Sequence, residues 1–287
     1  MSAQSKLPLA LTQRLREFSF NHEDFQALRG LVKSLTGISL SDQKRELIYG
    51  RLSRRLRALN LSSFHEYRKI LAGNPQELAQ FTNAITTNLT AFFRERHHFD
   101  YLRDELLRPM AASASATRRV RIWSAGCSTG EEPYSVAMTI LEALDDLSRW
   151  DIRILATDLD SDVLARARNG VYSADRAQAL DPSRLERFFV EQREGSTTTY
   201  RVKPELAALI AFKQLNLMHP LPMKGPLDAI FLRNTVIYFD RDTQRDLFGR
   251  VARLQRSGAT LFLGHSESLF QVSSDYTLIG KTVYRRN

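Results

Sequence analysis

The chain of 287 residues is long enough for one large core or two modest domains, and its 43% hydrophobic and 25% charged content is that of a folded globular protein. Its formal charge of +9 points to an acidic partner (nucleic acid, an anionic membrane or an acidic protein surface), and residues 1–110 hold much of the excess, with 17 Lys and Arg against 11 Asp and Glu. A single cysteine excludes an internal disulfide, and no apolar run suits a membrane span or a signal peptide, so a cytoplasmic protein without membrane insertion is expected.

Residues 1–19 lack sustained periodicity and read as a flexible tail, followed by a helical domain over 20–108. Phe25, Leu28, Leu31, Val32 and Leu35 recur at helical spacing and stop near Gly37. A second helix from Ser41 has Ile48, Leu52, Leu56 and Leu59 as its apolar stripe and Arg51, Arg54, Arg55 and Arg57 on its other faces. Such a run suits either a solvated face or a docking surface for an acidic partner. Further helices are expected over Ser63–Leu71 and from Pro75 to Thr87. Residues 109–117, with Pro109 ahead of a small, polar stretch, read as a linker.

From Arg118 to the C-terminus strands and helices alternate, which argues for a parallel sheet with helices on both faces. The strand Val120–Trp123 enters a glycine-bounded loop, and a helix opens at Glu131 with Pro133 in its first turn. Gly126 and Gly130 let the backbone approach a ligand closely. The spacing is G-x-x-x-G followed by Glu131 and Glu132, not G-x-G-x-x-G, so a pyrophosphate would be repelled and a nicotinamide dinucleotide is disfavoured. S-adenosylmethionine, with a sulfonium, an ammonium and no phosphate, suits the two acids. Asp158 at the tip of the second strand is placed to accept both ribose hydroxyls, and Asp160 to cap the next helix. Residues 172–216 break the alternation: Phe188–Val190, Thr198–Val202 and Leu209–Leu215 read as a small antiparallel insert. Alternation resumes with the strand Asp228–Leu232, a helix Arg241–Leu254, a strand Thr260–Leu263, the loop Gly264–Ser268 and a last strand near Thr282–Arg285.

The stretches Asn88–Glu95 (NLTAFFRE), Ser128–Ser135 (STGEEPYS), Arg233–Asp240 (RNTVIYFD) and Gly264–Glu267 (GHSE) resemble the CheR family, the chemotaxis receptor glutamate O-methyltransferases, over nearly the whole chain. The resemblance implies an all-α N-terminal domain and a class I, Rossmann-like, seven-stranded methyltransferase domain over 118–287 that carries a small antiparallel β-subdomain. It implies that Asn88, Thr90 and Arg94 reach from the N-terminal domain to the cofactor and the target carboxylate, and that Glu131 or Glu132 meets the methionine portion. It also implies Asn216 and Leu217 at the adenine, Leu232, Arg233 and Asn234 along the floor, and Tyr238 close to the methyl group. The implied partner is the cytoplasmic domain of transmembrane chemoreceptors, faced by Arg51 to Arg57, with the β-subdomain a candidate grip for a receptor C-terminal tail. Residue 232 is Leu and residue 235 is Thr where members of the family commonly have Cys and Val; neither change removes a polar ligand.

A glutamate acceptor, with an unperturbed pKa near 4.3, is ionised at neutral pH and needs no general base, so the lack of an obvious catalytic His or Cys is consistent. In-line transfer depends on alignment; Arg94 is expected to steer one carboxylate oxygen and leave the other free to attack, while Tyr238 either shapes the methyl's path or donates a hydrogen bond. Two rivals stand beside this reading. A nucleic-acid methyltransferase suits the charge, but Asn234 is followed by Thr-Val-Ile rather than Pro-Pro-aromatic, and Cys127 lies in the cofactor loop. A silent cofactor-binding adaptor is disfavoured by the intact Arg94, Asp158 and Asn234.

Overall fold

The computed structural model describes residues 16–113 and 117–287. The expected tail over 1–19 lies mostly outside these residues, but 16–19 are packed: Phe18 is buried edge-on against Phe64, and Ser19 bridges to Ser63. The chain divides into two compact units between Thr86 and Thr87, not at the expected linker over 109–117, where Arg108–Ala112 is helical and residues 114–116 fall outside the description.

In the first unit, α1 (His22–Thr36) starts with a reciprocal capping box between Asn21 and Asp24 and ends on Gly37 in the left-handed conformation. After a 3-10 turn, Asp42–Lys44, come α2 (Arg45–Ala58), α3 (Phe64–Gly73), capped by Ser63, and α4 (Pro75–Ile85), capped by Asn74 with Pro75 in its first turn. Their apolar stripes meet in one core that includes Phe20, Phe25, Leu52, Phe64 and Phe81. Inside it Glu77, 4% exposed, accepts hydrogen bonds from Arg55 Nε and Nη2 at 3.0 and 2.6 Å and from Tyr67 Oη at 2.8 Å.

The second unit begins with the Asn88–Glu95 stretch. It continues through α5 (His97–Tyr101), a π-helical segment Leu102–Leu107 and α6 (Arg108–Ala112) to β1 (Arg119–Ala125). Next come α7 (Glu131–Ala143), β2 (Asp151–Asp158), α8 (Ser161–Asn169, capped by Asp160 as expected), β3 (Val171–Ser173), α9 (Ala174–Ala177), α10 (Pro182–Phe188), β4 (Phe189–Glu194), β5 (Thr197–Val202), α11 (Pro204–Ala207) and β6 (Ile210–Gln214). The chain closes with β7 (Leu227–Leu232), α12 (Arg241–Ala252), β8 (Gln255–Leu263), β9 (Tyr276–Gly280) and β10 (Val283–Arg286).

The large sheet has the order β6-β2-β1-β7-β8-β10-β9, with β10 antiparallel to both its neighbours and the other paired strands parallel. Alternate residues feed two apolar layers: Ile122, Phe231 and Phe262 enter one, while Trp123, Ile230, Leu232 and Leu261 enter the other. The expected insert over 172–216 is corrected. Ile210–Gln214 pairs parallel with β2 in the large sheet, and the third strand of the small sheet, β3-β5-β4, is Val171–Ser173.

Replacing Glu77 by Ala should orphan the Arg55 guanidinium and the Tyr67 hydroxyl together, and a loss of about 2–4 kcal/mol is expected in urea denaturation of the full chain. A change within about 0.5 kcal/mol would show that solvent satisfies these groups.

Candidate active site

The carboxyl ends of β6, β2, β1 and β7 lie abreast, where the strand order reverses around β1. Onto this edge the chain brings Asn216 after β6, Asp158 at the end of β2, the Gly126–Gly130 loop after β1, and Asn234 after β7. The glycine positions are sterically fixed. Gly126 has a φ of 79° and a Cβ there would lie 2.3 Å from Thr235 Oγ1; Gly130 has a φ of 97° and a Cβ there would meet Tyr172 Oη at 2.9 Å. Gly130 also gives α7 no side-chain cap, so its first turn presents backbone N–H groups towards the loop.

Asp158 accepts the Ser128 N–H at 2.8 Å and the Asp160 N–H at 3.0 Å, one on each oxygen. A carboxylate has about four acceptor positions, so acceptor capacity remains beyond these amides. Burial pushes the Asp158 carboxyl above its ordinary value. Asn88 donates through Nδ2 to Asp160 at 2.8 Å, and its carbonyl accepts the Ser128 hydroxyl at 2.9 Å. Phe92 packs edge-on against Tyr172 and Phe189, and the Phe93 N–H donates to Ser135 Oγ at 2.9 Å. Asn88, Thr90 and Arg94 thus belong to the second unit, not to the N-terminal one, and the stretch is fastened to the glycine loop and α7.

The two glutamates are not bare charges, contrary to the simple reading of a paired acidic berth. Glu131, its side chain 1% exposed, receives Thr129 Oγ1 at 2.7 Å and an ion pair from Arg176 of α9. Glu132 receives Ser124 Oγ at 2.7 Å and Arg233 Nη1 at 3.1 Å, and its side chain keeps 12% exposure. Burial raises the Glu132 carboxyl above its ordinary value, although Arg233 pulls the other way.

Arg233 does not line an open floor. Its side chain is 2% exposed, lies over the Phe99 ring, and pairs with Glu132 and, at 3.5 Å, with Glu95, while Nη2 donates to the Arg94 carbonyl. Leu232 is likewise fully buried in the core, and Leu217 packs against the same layer. Asn216 spends its Oδ1 on the Met218 N–H at 2.9 Å. Tyr238 is half-buried in a 3-10 turn, Val236–Tyr238. Arg94 donates through Nη1 to the Leu89 carbonyl at 2.9 Å and, among the described residues, forms no ion pair.

Of the four arginines expected to dock a partner, three are engaged within the first unit. Arg51 holds the Ile85 and Thr86 carbonyls, Arg55 is bound to Glu77, and Arg57 pairs on the surface with Glu17; Arg54 is exposed. Glu95 and His98 carry no expectation from the sequence. Glu95 also receives His265, and His98 lies wholly buried with Nε2 3.0 Å from Thr282 Oγ1. The adjoining Arg233 guanidinium opposes a metal cation among Glu95, His97 and His98. Burial pushes the Cys127 thiol up, with Asp158 adding to the effect, which withholds the thiolate that nucleophilic chemistry requires.

A seven-stranded sheet with one antiparallel strand, a glycine loop ahead of α7 and an acid at the tip of β2 define a class I, S-adenosylmethionine-dependent methyltransferase. Residues 88–285 match the family model for the CheR methyltransferase, SAM binding domain, and residues 23–86 match that for its all-alpha domain. The chain is 46% identical to chemotaxis protein methyltransferase 2 of Pseudomonas aeruginosa, over 94% of this chain and 95% of that protein. It is 40% identical to the chemotaxis protein methyltransferase of Salmonella typhimurium, over 99% and 96% of the two chains, and 40% identical to that of Escherichia coli, over 98% and 96%. The chain therefore belongs to the CheR methyltransferase family, and it is an enzyme of chemotaxis that uses S-adenosylmethionine. No described helix is long and apolar enough to cross a membrane.

Burial, with the Arg233 charge, lowers the His98 pKa from 6.5 to about 3. The unfolded chain then binds the extra proton between those values, so stability rises with pH across that window and is lost as acid is added. The urea midpoint should fall from about pH 7 to about pH 5, and His98→Asn should flatten that fall; equal slopes would exclude His98 as its source.

Proposed function

We propose that this enzyme transfers the methyl group of S-adenosylmethionine to glutamate side chains in the cytoplasmic domain of transmembrane chemoreceptors, giving glutamate methyl esters and S-adenosylhomocysteine. The observation that carries this reading is Arg94. Its guanidinium sits on a stretch fastened to the glycine loop and engages no carboxylate among the described residues, so it is available to an anionic acceptor. In this reading Asp158 takes the ribose hydroxyls through its remaining acceptor capacity, and Asn216 and Leu217 border the adenine at the neighbouring strand end. Glu132 meets the methionine ammonium: it keeps an open edge, whereas Glu131 is covered by Thr129 and Arg176. Asn88, Thr90 and Asn234 close the pocket, and Gly126 lets the loop pack against Thr235 beside it.

The chemistry asks for alignment and little else. The acceptor carboxylate is already the nucleophile, the sulfonium sulfur is the leaving group, and no proton moves. Arg94 steers one oxygen by a charge-assisted hydrogen bond and leaves the other in line with the methyl, bordered by Tyr238. Arg54, and Arg57 once released from its exposed pair with Glu17, offer the receptor a basic face. The edge strand β4 presents unpaired backbone groups along Phe189–Glu194 and is the proposed grip for a receptor C-terminal tail by strand addition, which would recruit the enzyme to receptor arrays.

Incubation with tritiated S-adenosylmethionine and receptor-containing membranes should place base-labile label on the receptor; alkali-stable label, or label on nucleic acid alone, would sink the reading. In the same assay Arg94→Ala is expected to lower kcat/KM by about a hundredfold. By calorimetry, Glu132→Gln should weaken cofactor binding by about tenfold or more, whereas Glu131→Gln should mainly lower Tm; the reverse pattern would exchange the two roles.

A further inference from the structure

The loop that leaves β7, Arg233 to Tyr238, carries Asn234 and Tyr238, yet much of its backbone is satisfied from elsewhere. Asn234 holds a left-handed φ of 56°. Its N–H donates to Glu267 Oε2 at 2.7 Å, and the N–H groups of Val236 and Ile237 donate to Glu267 Oε1 at 2.9 and 3.2 Å. A fourth N–H, from Gly264, reaches Oε2 at 2.7 Å, and the Glu267 N–H returns to the Gly264 carbonyl at 2.9 Å. Glu267 is 5% exposed, and no cation pairs with it among the described residues, so these four amides are what compensates its charge.

A buried acid that served packing alone would be bettered by an apolar residue of similar size. Here the donors come from the loops after two adjacent strands, β7 and β8, whose ends pair at Leu232 and Leu263. The loops are also pressed together, since a Cβ on Gly264 would lie 2.3 Å from Asn234 Nδ2. We propose that Glu267 is a positioning residue for methyl transfer: its carboxylate sets the conformation of the Arg233–Tyr238 loop and thereby the placement of Asn234 and Tyr238 in the pocket. This role rests on the proposed site roles of Asn234 and Tyr238 and extends them to a residue that touches neither reactant. Glutamine is the informative replacement. It keeps the size but has one acceptor oxygen, and its amide nitrogen would face donors in either orientation.

The test compares Glu267→Gln with Leu269→Ala, a core truncation in the same loop that leaves the four amides their acceptor. Glu267→Gln is expected to weaken S-adenosylhomocysteine binding by about tenfold in calorimetry and to lower kcat by about a further tenfold at saturating cofactor, well below its Tm. Leu269→Ala should lower Tm and leave kcat within about twofold of wild type. Wild-type affinity and kcat in Glu267→Gln, or an equal loss of kcat in Leu269→Ala, would overturn the proposal. Amide hydrogen exchange on the wild-type enzyme decides the matter even where the variant fails to fold: slow exchange at Asn234, Val236 and Ile237 supports the role, and exchange at the rate of an open loop overturns it. The calorimetric arm needs no acceptor, so a wild type that binds cofactor and labels no receptor would sink the receptor reading separately.

Discussion

The buried Arg233 guanidinium is the interaction on which the rest of the pocket depends. It stands at the end of β7 and meets Glu132 from the first turn of α7, Glu95 from the Asn88–Glu95 stretch, and the Arg94 carbonyl. One cation thus fixes three segments distant in sequence. A lone buried guanidinium would be prohibitive, and here two carboxylates and the negative face of the Phe99 ring compensate it.

The surrounding architecture holds this cluster in register. β1 and β7 are buried on both faces, and their paired ends deliver the glycine loop and the Arg233–Tyr238 loop to one edge. Under the proposed reaction the acceptor arrives already ionised and the cofactor already activated, so the protein's contribution reduces to geometry, which suits a pocket made from backbone turns of restricted conformation: Gly126, Gly130 and Asn234 all have positive φ.

Local signals in the sequence were enough for the elements whose causes are local. The cap at Asp160 is legible because it acts on amides two and three residues ahead, and the glycine loop and the acid at Asp158 are legible from their places at the ends of β1 and β2. The pairing of β6 was misread because a short alternating strand does not say which neighbour it will join; its register with β2 is a tertiary fact. The internal partners of Arg51 and Arg55 in α2 are illegible for a related reason. Helical spacing places Arg55 and Arg51 on the same helix but is silent on Glu77 and on the carbonyls of Ile85 and Thr86, which claim them. Glu267 is visible only as a letter in a motif, since three of its four amide partners lie some thirty residues earlier.

The hydroxyl of Tyr172, on β3 of the small sheet, donates to the Thr129 carbonyl at 2.8 Å, and Arg176 just beyond it grips Glu131 and Thr129. The small sheet is therefore one of the walls that shape the glycine loop and not merely an appendage beside it. Tyr172 and Arg176 tie the small sheet to the Gly126–Gly130 loop and to the first turn of α7. Were the proposed tail grip on β4 to change the affinity for cofactor, reciprocity would require cofactor to change the affinity for the tail by the same factor.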